Sequence, residues 1–404
     1  SPPARACGRC GIASANFTRD PSDPGDARRE TTRFNCGAIE EVSVNHRGPG
    51  PVRLVASCSP PADRRWSTPA ENATALADAI KADSAENRVW ALGTAEGLES
   101  TLVPERGFEL ITVAKLPFPR RPGKYALTFP FRFAAAVRRV RRFIVENQVE
   151  VVVGFGGYAS APAYVAAKRA GIPIVVHEAN ALPGFANKLG AKYSAATAVA
   201  FANTPLPNAV HTGMPLRREI EQLAATPSGS TERDLLRAQA RAHFGFDAAG
   251  ALLLVTGGSL GAKRINDAIE ATRSVLDAAG IQVLHIVGGR SELEPIDSPN
   301  YKRLAYCDRM DQAIAAADFA VSRAGASTVS EFAAVGLPAV YVPYAVGNGE
   351  QRFNVADLVA AGGGVLVDDA TFDANWVRAN LVPLVSDSRA MARMAQAAAD
   401  HGIT

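Results

Sequence analysis

Apolar residues occur along this chain in short runs, and most runs are followed by glycine or small polar residues and then by a helical pattern. Such continuous apolar runs are typical of strands that are buried on both faces of a parallel sheet. The alternation of strand, loop and helix in both halves therefore predicts parallel sheets covered by helices. The predicted strands and their glycine loops lie at residues 51–56, 151–158, 251–261, 282–287, 319–322 and 339–343.

The length of 404 residues exceeds what one hydrophobic core usually supports, and 47% hydrophobic with 21% charged residues is ordinary for a globular protein. Residues 1–50 are rich in Pro, Gly, Arg, Asp and Ser and have no apolar period, which predicts a disordered tail. We expect two α/β domains after it, at residues 51–212 and 213–404, with a hinge at residues 213–217.

The stretch 316–351 carries the strongest chemical pattern, because small residues and hydroxyls follow its first strand. Gly325 and Ala326 let a phosphate approach the backbone, and Ser327 and Thr328 suit a helix N-terminus, which favours an anion by about 0.3–1 kcal/mol. Glu331, one turn into a helix expected to open at Thr328, is suited to accept hydrogen bonds from ribose hydroxyls. The pattern predicts a nucleotide-diphosphate site, with a simple capping box of Thr328 and Glu331 as an equally weighted alternative.

Residues 322–354, SRAGASTVSEFAAVGLPAVYVPYAVGNGEQRFN, resemble the donor-site signature of the MurG family, and the similarity, of actinobacterial type, extends from Val89 to the C-terminus. These bacterial transferases add N-acetylglucosamine to the lipid-linked muramyl-pentapeptide precursor of peptidoglycan. The resemblance implies a GT-B fold, with two Rossmann-like doubly wound domains facing a cleft. It also implies inverting transfer from UDP-N-acetylglucosamine to the 4-hydroxyl of the muramyl sugar, converting lipid I to lipid II without a cofactor.

The resemblance also implies roles for individual residues. On the donor side, the diphosphate would be held by Ser259, Arg217, Ala326, Ser327 and Thr328, the ribose by Glu331, the uracil by the backbone of Cys307, and the sugar by Asn180, Glu350 and Gln351. On the acceptor side, the expected residues are the glycine loop Gly156–Gly157 with Asn187, and the candidate bases His177 and Glu178.

The chain departs from the family at its first glycine loop. The family has GGGTAGH there, whereas this chain has SCSPPADRRWSTPA at residues 57–70, with Trp66 at the position of the proposed catalytic histidine. Trp66 cannot accept a proton, and Pro60 and Pro61 each lack an N–H donor. We expect a relative that binds UDP-sugar and transfers it slowly, and the abrupt change favours a reading-frame error or a decayed gene.

A dinucleotide-binding enzyme is the rival class. Gly154-x-Gly156-x-x-Ala159 follows a predicted strand, and Glu178 ends the next strand about 20 residues later, as in the fingerprint of NAD(P)-dependent oxidoreductases. This interpretation leaves stretch 316–351 unexplained.

A basic and aromatic stretch at residues 118–142 predicts contact with an anionic membrane surface. The alternative is a packed amphipathic helix whose arginines are solvated. We expect a peripheral protein at the cytoplasmic face of the membrane, because no apolar run reaches the roughly 18 residues of a membrane span and no N-terminal signal is present. The basic residues of the stretch are Arg120, Arg121, Lys124, Arg132, Arg138, Arg139, Arg141 and Arg142.

Other features of the chain limit the possible partners. The net charge of +3 does not indicate nucleic acid. The five cysteines fit a reducing compartment, and Cys7 and Cys10 have no second pair at zinc-binding spacing, so no metal site is expected. The chain ends at Thr404, where the family continues with a helix that crosses back to the first domain, which implies a truncated end.

Overall fold

The structure is a computed structural model that describes residues 29–34, 42–47, 53–59, 68–96, 99–119, 121–258, 261–344 and 349–402. Trp66, Arg120 and Ser259 lie outside these described residues. The chain divides into two compact units. The first comprises residues 1–62, 69–178 and 183–213, and the second comprises residues 63–68, 179–182 and 214–404.

Two strands pair near the N-terminus, within the segment for which the sequence predicts no regular structure. Strand β1 (Arg29–Phe34) pairs antiparallel with β2 (Val42–Arg47). Both contain β-branched residues, Thr31 and Thr32 in β1 and Val42 and Val44 in β2, which favour an extended backbone. The described strands thus differ from the expected disordered tail.

The first unit contains a seven-stranded sheet in which every pair of neighbouring strands is parallel. Its strands, in the spatial order β5-β4-β3-β6-β7-β8-β9, are β3 (Arg53–Ser59), β4 (Arg88–Thr94), β5 (Glu109–Val113), β6 (Val151–Gly157), β7 (Ile174–Glu178), β8 (Ala196–Val199) and β9 (Ala209–His211). Its helices are α1 (Thr68–Asp83), α2 (Glu99–Glu105), α3 (Lys124–Glu146), α4 (Ser160–Ala170) and α5 (Phe185–Gly190).

Both faces of this sheet are buried. Val152 of β6 packs in one hydrophobic cluster with residues of α3 and α4, whereas Val151, Val153 and Phe155 pack in another with α1. Because successive side chains of a strand point to opposite faces, a continuous apolar run fills both layers.

The second unit contains another seven-stranded sheet, parallel except for its antiparallel edge strand β12. In the order β12-β13-β11-β10-β14-β15-β16, its strands are β10 (Leu252–Thr256), β11 (Gln282–Ile286), β12 (Ile296–Ser298), β13 (Tyr301–Leu304), β14 (Phe319–Ser322), β15 (Ala339–Tyr341) and β16 (Gly364–Leu366). Its helices are α6 (Arg218–Ala225), α7 (Thr231–Phe244), α8 (Lys263–Glu270), α9 (Arg273–Ala278), α10 (Met310–Ala316), α11 (Ala326–Val335), α12 (Glu350–Ala360), α13 (Ala374–Trp376), a π-helical turn (Val377–Leu381), α14 (Val382–Ser386) and α15 (Ser388–His401).

The two strand orders confirm the predicted doubly wound α/β fold. In each sheet the chain starts at a central strand, β3 or β10, builds outward to one side, and then returns to build the other side from β6 or β14. Ligands of such sheets bind outside the carboxyl ends of the strands at this switch point. The loops after β10 and β14 are therefore the structural candidates for a nucleotide site in the second unit.

A buried arginine stabilises the second sheet at the amino ends of its central strands, opposite the predicted nucleotide site. Arg241 of α7 is 1% exposed, and its guanidinium donates to Asp318 Oδ2 at 2.6 Å and to the carbonyls of Ala316 and Ala248 at 3.1 and 2.7 Å. Asp318 Oδ2 also accepts from the backbone N–H of Leu252, so one carboxylate joins α7 to the starts of β10 and β14.

Candidate active site

Helix α11 begins at the switch point of the second sheet. Gly325 is its N-cap residue, in an extended conformation, and the first intrahelical hydrogen bond runs from Val329 N to Gly325 O at 2.9 Å. The backbone N–H groups of residues 326–328 therefore precede the helical ladder at the positive end of the helix dipole. This arrangement is suited to an anion.

The start of α11 excludes the capping-box alternative. The predicted helix start, Thr328, is two residues late, because extended Gly325 ends the loop and Ala326 already has helical geometry. Thr328 is thus the third helical residue and not the N-cap, and no side chain caps this end of the helix. A capping box needs its hydroxyl at the N-cap, so the pattern of Thr328 and Glu331 has another cause.

Glu331 forms a buried ion pair with Arg217. Nε and Nη2 of Arg217 donate to Glu331 Oε1 at 3.0 and 2.7 Å, and the glutamate side chain is 11% exposed. Burial raises the pKa of the Glu331 carboxyl, while the Arg217 charge and hydrogen bonds lower it. The guanidinium of Arg217 thus orients the predicted ribose carboxylate, and its predicted contact with the diphosphate stays a prediction.

Cys307 lies in the loop between β13 and α10 and is 8% exposed. Burial raises the pKa of its thiol, so the sulfur stays protonated at neutral pH. A protonated, buried thiol has little polar chemistry to offer, which agrees with a role that uses only the backbone.

The first turn of α12 places Glu350 and Gln351 together, after Gly349 in a left-handed conformation. Gln351 Oε1 accepts a hydrogen bond from Tyr344 N at 2.8 Å. One turn later, Asn354 is 2% exposed. Its Oδ1 accepts from Ala181 N at 2.9 Å, and its Nδ2 lies 3.3 Å from Asn180 Oδ1.

Sequence reasoning assigned no role to Asn354. It stands four residues after Glu350, on the same side of a helix, and this spacing was the signal that could have found it. Segment 179–182 belongs to the second unit, so the structure brings predicted residue Asn180 to α12 there.

Asn187, predicted to serve the acceptor, is buried in the first unit. It is 1% exposed, its Nδ2 donates to Glu178 Oε2 at 3.0 Å, and its Oδ1 accepts from the Tyr164 hydroxyl at 2.7 Å. A Cβ on Gly156 would lie 3.3 Å from Asn187 Nδ2. Asn187 supports the Gly156–Gly157 loop in this structure, and its contact with the acceptor stays a prediction.

The loop supported by Asn187 has the geometry that its glycines allow. Gly156 and Gly157 have φ angles of +87° and +86°, which residues with a Cβ rarely adopt. Tyr164 lies close behind the loop, because a Cβ on Gly154 would be 2.0 Å from its hydroxyl.

His177 and Glu178, the candidate bases, are also buried, at 5% and 4% exposure. His177 Nε2 donates to Gly213 O at 3.1 Å, and burial lowers the pKa of the imidazole to about 4. Glu178 Oε2 accepts from Gly184 N at 3.0 Å as well as from Asn187. A general base must reach the hydroxyl that it deprotonates, and both side chains are bonded within the first unit in this structure, so a role as base stays a prediction for each.

The burial of Glu178 also argues against the rival dinucleotide site, which needs this carboxylate to accept from a ribose.

Among the described residues, no group of three or more His, Cys, Asp or Glu side chains is arranged to hold a metal ion.

Two doubly wound units, with a helix N-terminus and a buried glutamate at the switch point of the second, are typical of nucleotide-sugar glycosyltransferases of the GT-B class. Residues 71–199 match the N-terminal domain of glycosyltransferase family 28, and residues 252–403 match its C-terminal domain. The chain belongs to this family, and within it to the MurG transferases.

The individual relatives agree with this assignment. The UDP-N-acetylglucosamine--N-acetylmuramyl-(pentapeptide) pyrophosphoryl-undecaprenol N-acetylglucosamine transferase of Leifsonia xyli subsp. xyli is 55% identical over 81% of this chain and 90% of its own length. The enzyme of the same name from Streptomyces coelicolor is 46% identical over 82% and 90%. The crystal structure of Acinetobacter baumannii MurG is 23% identical, with a TM-score of 0.68 over 88% of this chain and 96% of that one, and supports the fold.

Proposed function

We propose that this chain is an inverting N-acetylglucosaminyltransferase that moves the sugar of UDP-N-acetylglucosamine to the 4-hydroxyl of undecaprenyl-pyrophosphoryl-N-acetylmuramyl-pentapeptide. The observation that carries the proposal is the start of α11 at Ala326, with Glu331 one turn further, at the switch point of the second sheet. The shared names of the relatives supply the substrates.

The reaction joins the acceptor oxygen to the anomeric carbon and breaks the bond from that carbon to the diphosphate oxygen. The proton of the acceptor hydroxyl passes to a base or to water. Attack from the face opposite the diphosphate inverts the configuration. The leaving diphosphate gains negative charge, which backbone N–H groups at the start of α11 are suited to stabilise. We assign Glu331 to the ribose, Glu350 and Gln351 to the sugar, and Arg217 to the orientation of Glu331.

Donor binding tests this proposal. Glu331→Ala should weaken binding of UDP-N-acetylglucosamine by about 1–3 kcal/mol, because the ribose hydroxyls lose their acceptor. Burial raises the pKa of Glu331, so affinity should also fall as the pH is lowered through that raised value.

Isothermal calorimetry on the full chain measures both effects. Glu221→Ala is a matched control, because desolvation also raises the pKa of this glutamate of α6 but no role in binding is assigned to it. Equal donor affinity in the unmodified protein and Glu331→Ala would contradict the ribose assignment.

We further propose that the first unit docks on an anionic membrane surface through α3 and its neighbours. Four apolar side chains there are more than half exposed: Phe118, Leu127, Phe131 and Phe185, at 56%, 76%, 77% and 60%. The second half of α3 buries Val137, Val140 and Ile144 and exposes arginines on its other positions. Apolar insertion would thus come from the start of α3 and its neighbours, and charge attraction from the second half of the same helix. None of the described helices is both long and apolar enough to cross a bilayer.

Charge reversal tests the docking surface. Changing Arg138 and Arg142 to Glu should sharply reduce sedimentation with phosphatidylserine vesicles, and also changing Arg139 and Arg141 should abolish it, since each cation contributes about 1 kcal/mol. The matched control changes Arg389 and Arg393 of α15, which are exposed and have the same spacing, and should have little effect. Equal sedimentation with neutral and anionic vesicles would show that the arginines are only solvated.

A further inference from the structure

Asp369, which follows β16, forms ion pairs with two arginines of the second unit, one at the start of α8 and one after β14. Its Oδ1 lies 2.5 Å from Arg323 Nη1, and its Oδ2 lies 3.3 Å from Arg264 Nε. The side chains of Asp369 and Arg323 are 20% and 13% exposed, so solvent screens this pair only weakly. The sequence patterns assign no role to any of the three residues.

Each arginine lies at the carboxyl end of a strand beside the predicted donor site. Arg264 is the second residue of α8, directly after the glycine loop that follows β10. Arg323 immediately follows β14 and stands two residues before Gly325, the N-cap of α11. Its Nη1 also donates to the carbonyls of Val342 and Pro343, at 3.1 and 3.2 Å, at the end of β15. Asp369 therefore links the loops that follow three neighbouring strands.

The glycine loop after β10 is closely packed at its described residues. In the glycine loop, a Cβ on Gly257 would lie 2.3 Å from Ala262 N, and a Cβ on Gly261 would lie 2.1 Å from Val287 O, so backbone packs against backbone. A cavity of about 540 Å³ lies beside the ion pairs, and its lining includes Gly261, Arg264, Arg323 and Asp369. The charged side chains of both ion pairs thus line one cavity.

We propose that Asp369 is a positioning residue for donor binding. It holds the glycine loop after β10 and the N-terminus of α11 at a fixed separation, and its charge offsets both guanidinium groups. A diphosphate bound by the two elements depends on that separation, since hydrogen bonds weaken steeply with small errors in distance and angle. The proposal rests on the proposed function, because the nucleotide diphosphate is the donor assigned there.

The experiment compares four full-length proteins by calorimetry with UDP-N-acetylglucosamine and by thermal unfolding. Asp369→Asn, which keeps the shape but removes the charge, should raise the Kd about tenfold, equivalent to about 1.4 kcal/mol. Asp369→Glu should restore most of the affinity, because its carboxylate can still reach both arginines. Asp368→Asn is the control, since Asp368 is the adjacent residue and forms only an exposed pair with Arg352. In the transfer assay, Asp369→Asn should raise the KM for donor and leave the KM for acceptor unchanged.

Each other outcome has a distinct meaning. An unchanged Kd for Asp369→Asn, beside normal binding by the unmodified protein, would overturn the inference alone. A loss of affinity that follows a lowered Tm, and that Asp369→Glu does not restore, would reduce Asp369 to a structural residue and also overturn it. Failure of the unmodified protein to bind the donor would overturn the proposed function and this inference together.

Discussion

Purified protein of this sequence is expected to bind UDP-N-acetylglucosamine and yet to transfer the sugar about 10²–10⁴-fold more slowly than other MurG transferases, which is the usual contribution of a general base. Trp66 stands at the family position of the proposed base, and the indole only donates a hydrogen bond. His177 and Glu178 are buried and bonded within the first unit, so we expect neither to compensate for the missing base. The slow step should be transfer and not donor binding.

Single-turnover transfer to a lipid-linked acceptor measures this expectation, with the Leifsonia xyli relative assayed beside it. Replacing residues 57–66 by the glycine loop and histidine typical of the family should recover most of the rate, and Trp66→His alone should recover part of it. Coding DNA that contains an intact loop in another frame would explain how the difference arose. A rate equal to that of the relative would contradict the prediction, and His177→Gln and Glu178→Gln would then locate the base.

Removal of Arg241 should give the largest loss of stability. Arg241→Ala leaves the Asp318 carboxylate and several carbonyl groups without their buried donor, and breaking a buried pair from one side costs about 3–5 kcal/mol. Urea unfolding, followed by tryptophan fluorescence and circular dichroism, measures the free energy of unfolding of the second unit.

The matched control for Arg241→Ala is Arg237→Ala. Arg237 also pairs with Asp318 but is 40% exposed, so its loss should cost less than about 1 kcal/mol. Similar losses in the two variants would show that burial does not set the strength of this ion pair.

Local sequence patterns predicted the strands and the order of elements, because both depend on residues that are close in sequence. The strand at 319–322 has the predicted bounds, because four consecutive apolar or small residues fill both faces of a central parallel strand. The start of α11 was missed by two residues, since the extended backbone of Gly325 leaves no mark in the residue types. The doubly wound fold followed from the repeated order of strand, loop and helix.

Contacts between distant residues could not be predicted in the same way. Arg217 and Glu331 are 114 positions apart, and Asn180 and Asn354 are 174 apart, so their pairing depends on the finished fold. The same holds for Asn187, whose burial requires Tyr164 on one helix and Glu178 on a strand. The sequence identified the polar residues near each glycine loop, but it did not distinguish those that support a loop from those that reach a ligand.

The ion pair of Arg217 and Glu331 has a consequence for the kinetics of donor capture. A glutamate that is already fixed by two hydrogen bonds loses little side-chain entropy when a ribose arrives. The Glu331 carboxylate is then already oriented when the donor binds, so its side chain does not have to change rotamer. The rigidity is established when the second unit folds, so a substitution at Arg217 should slow productive capture of the donor by releasing the Glu331 carboxylate.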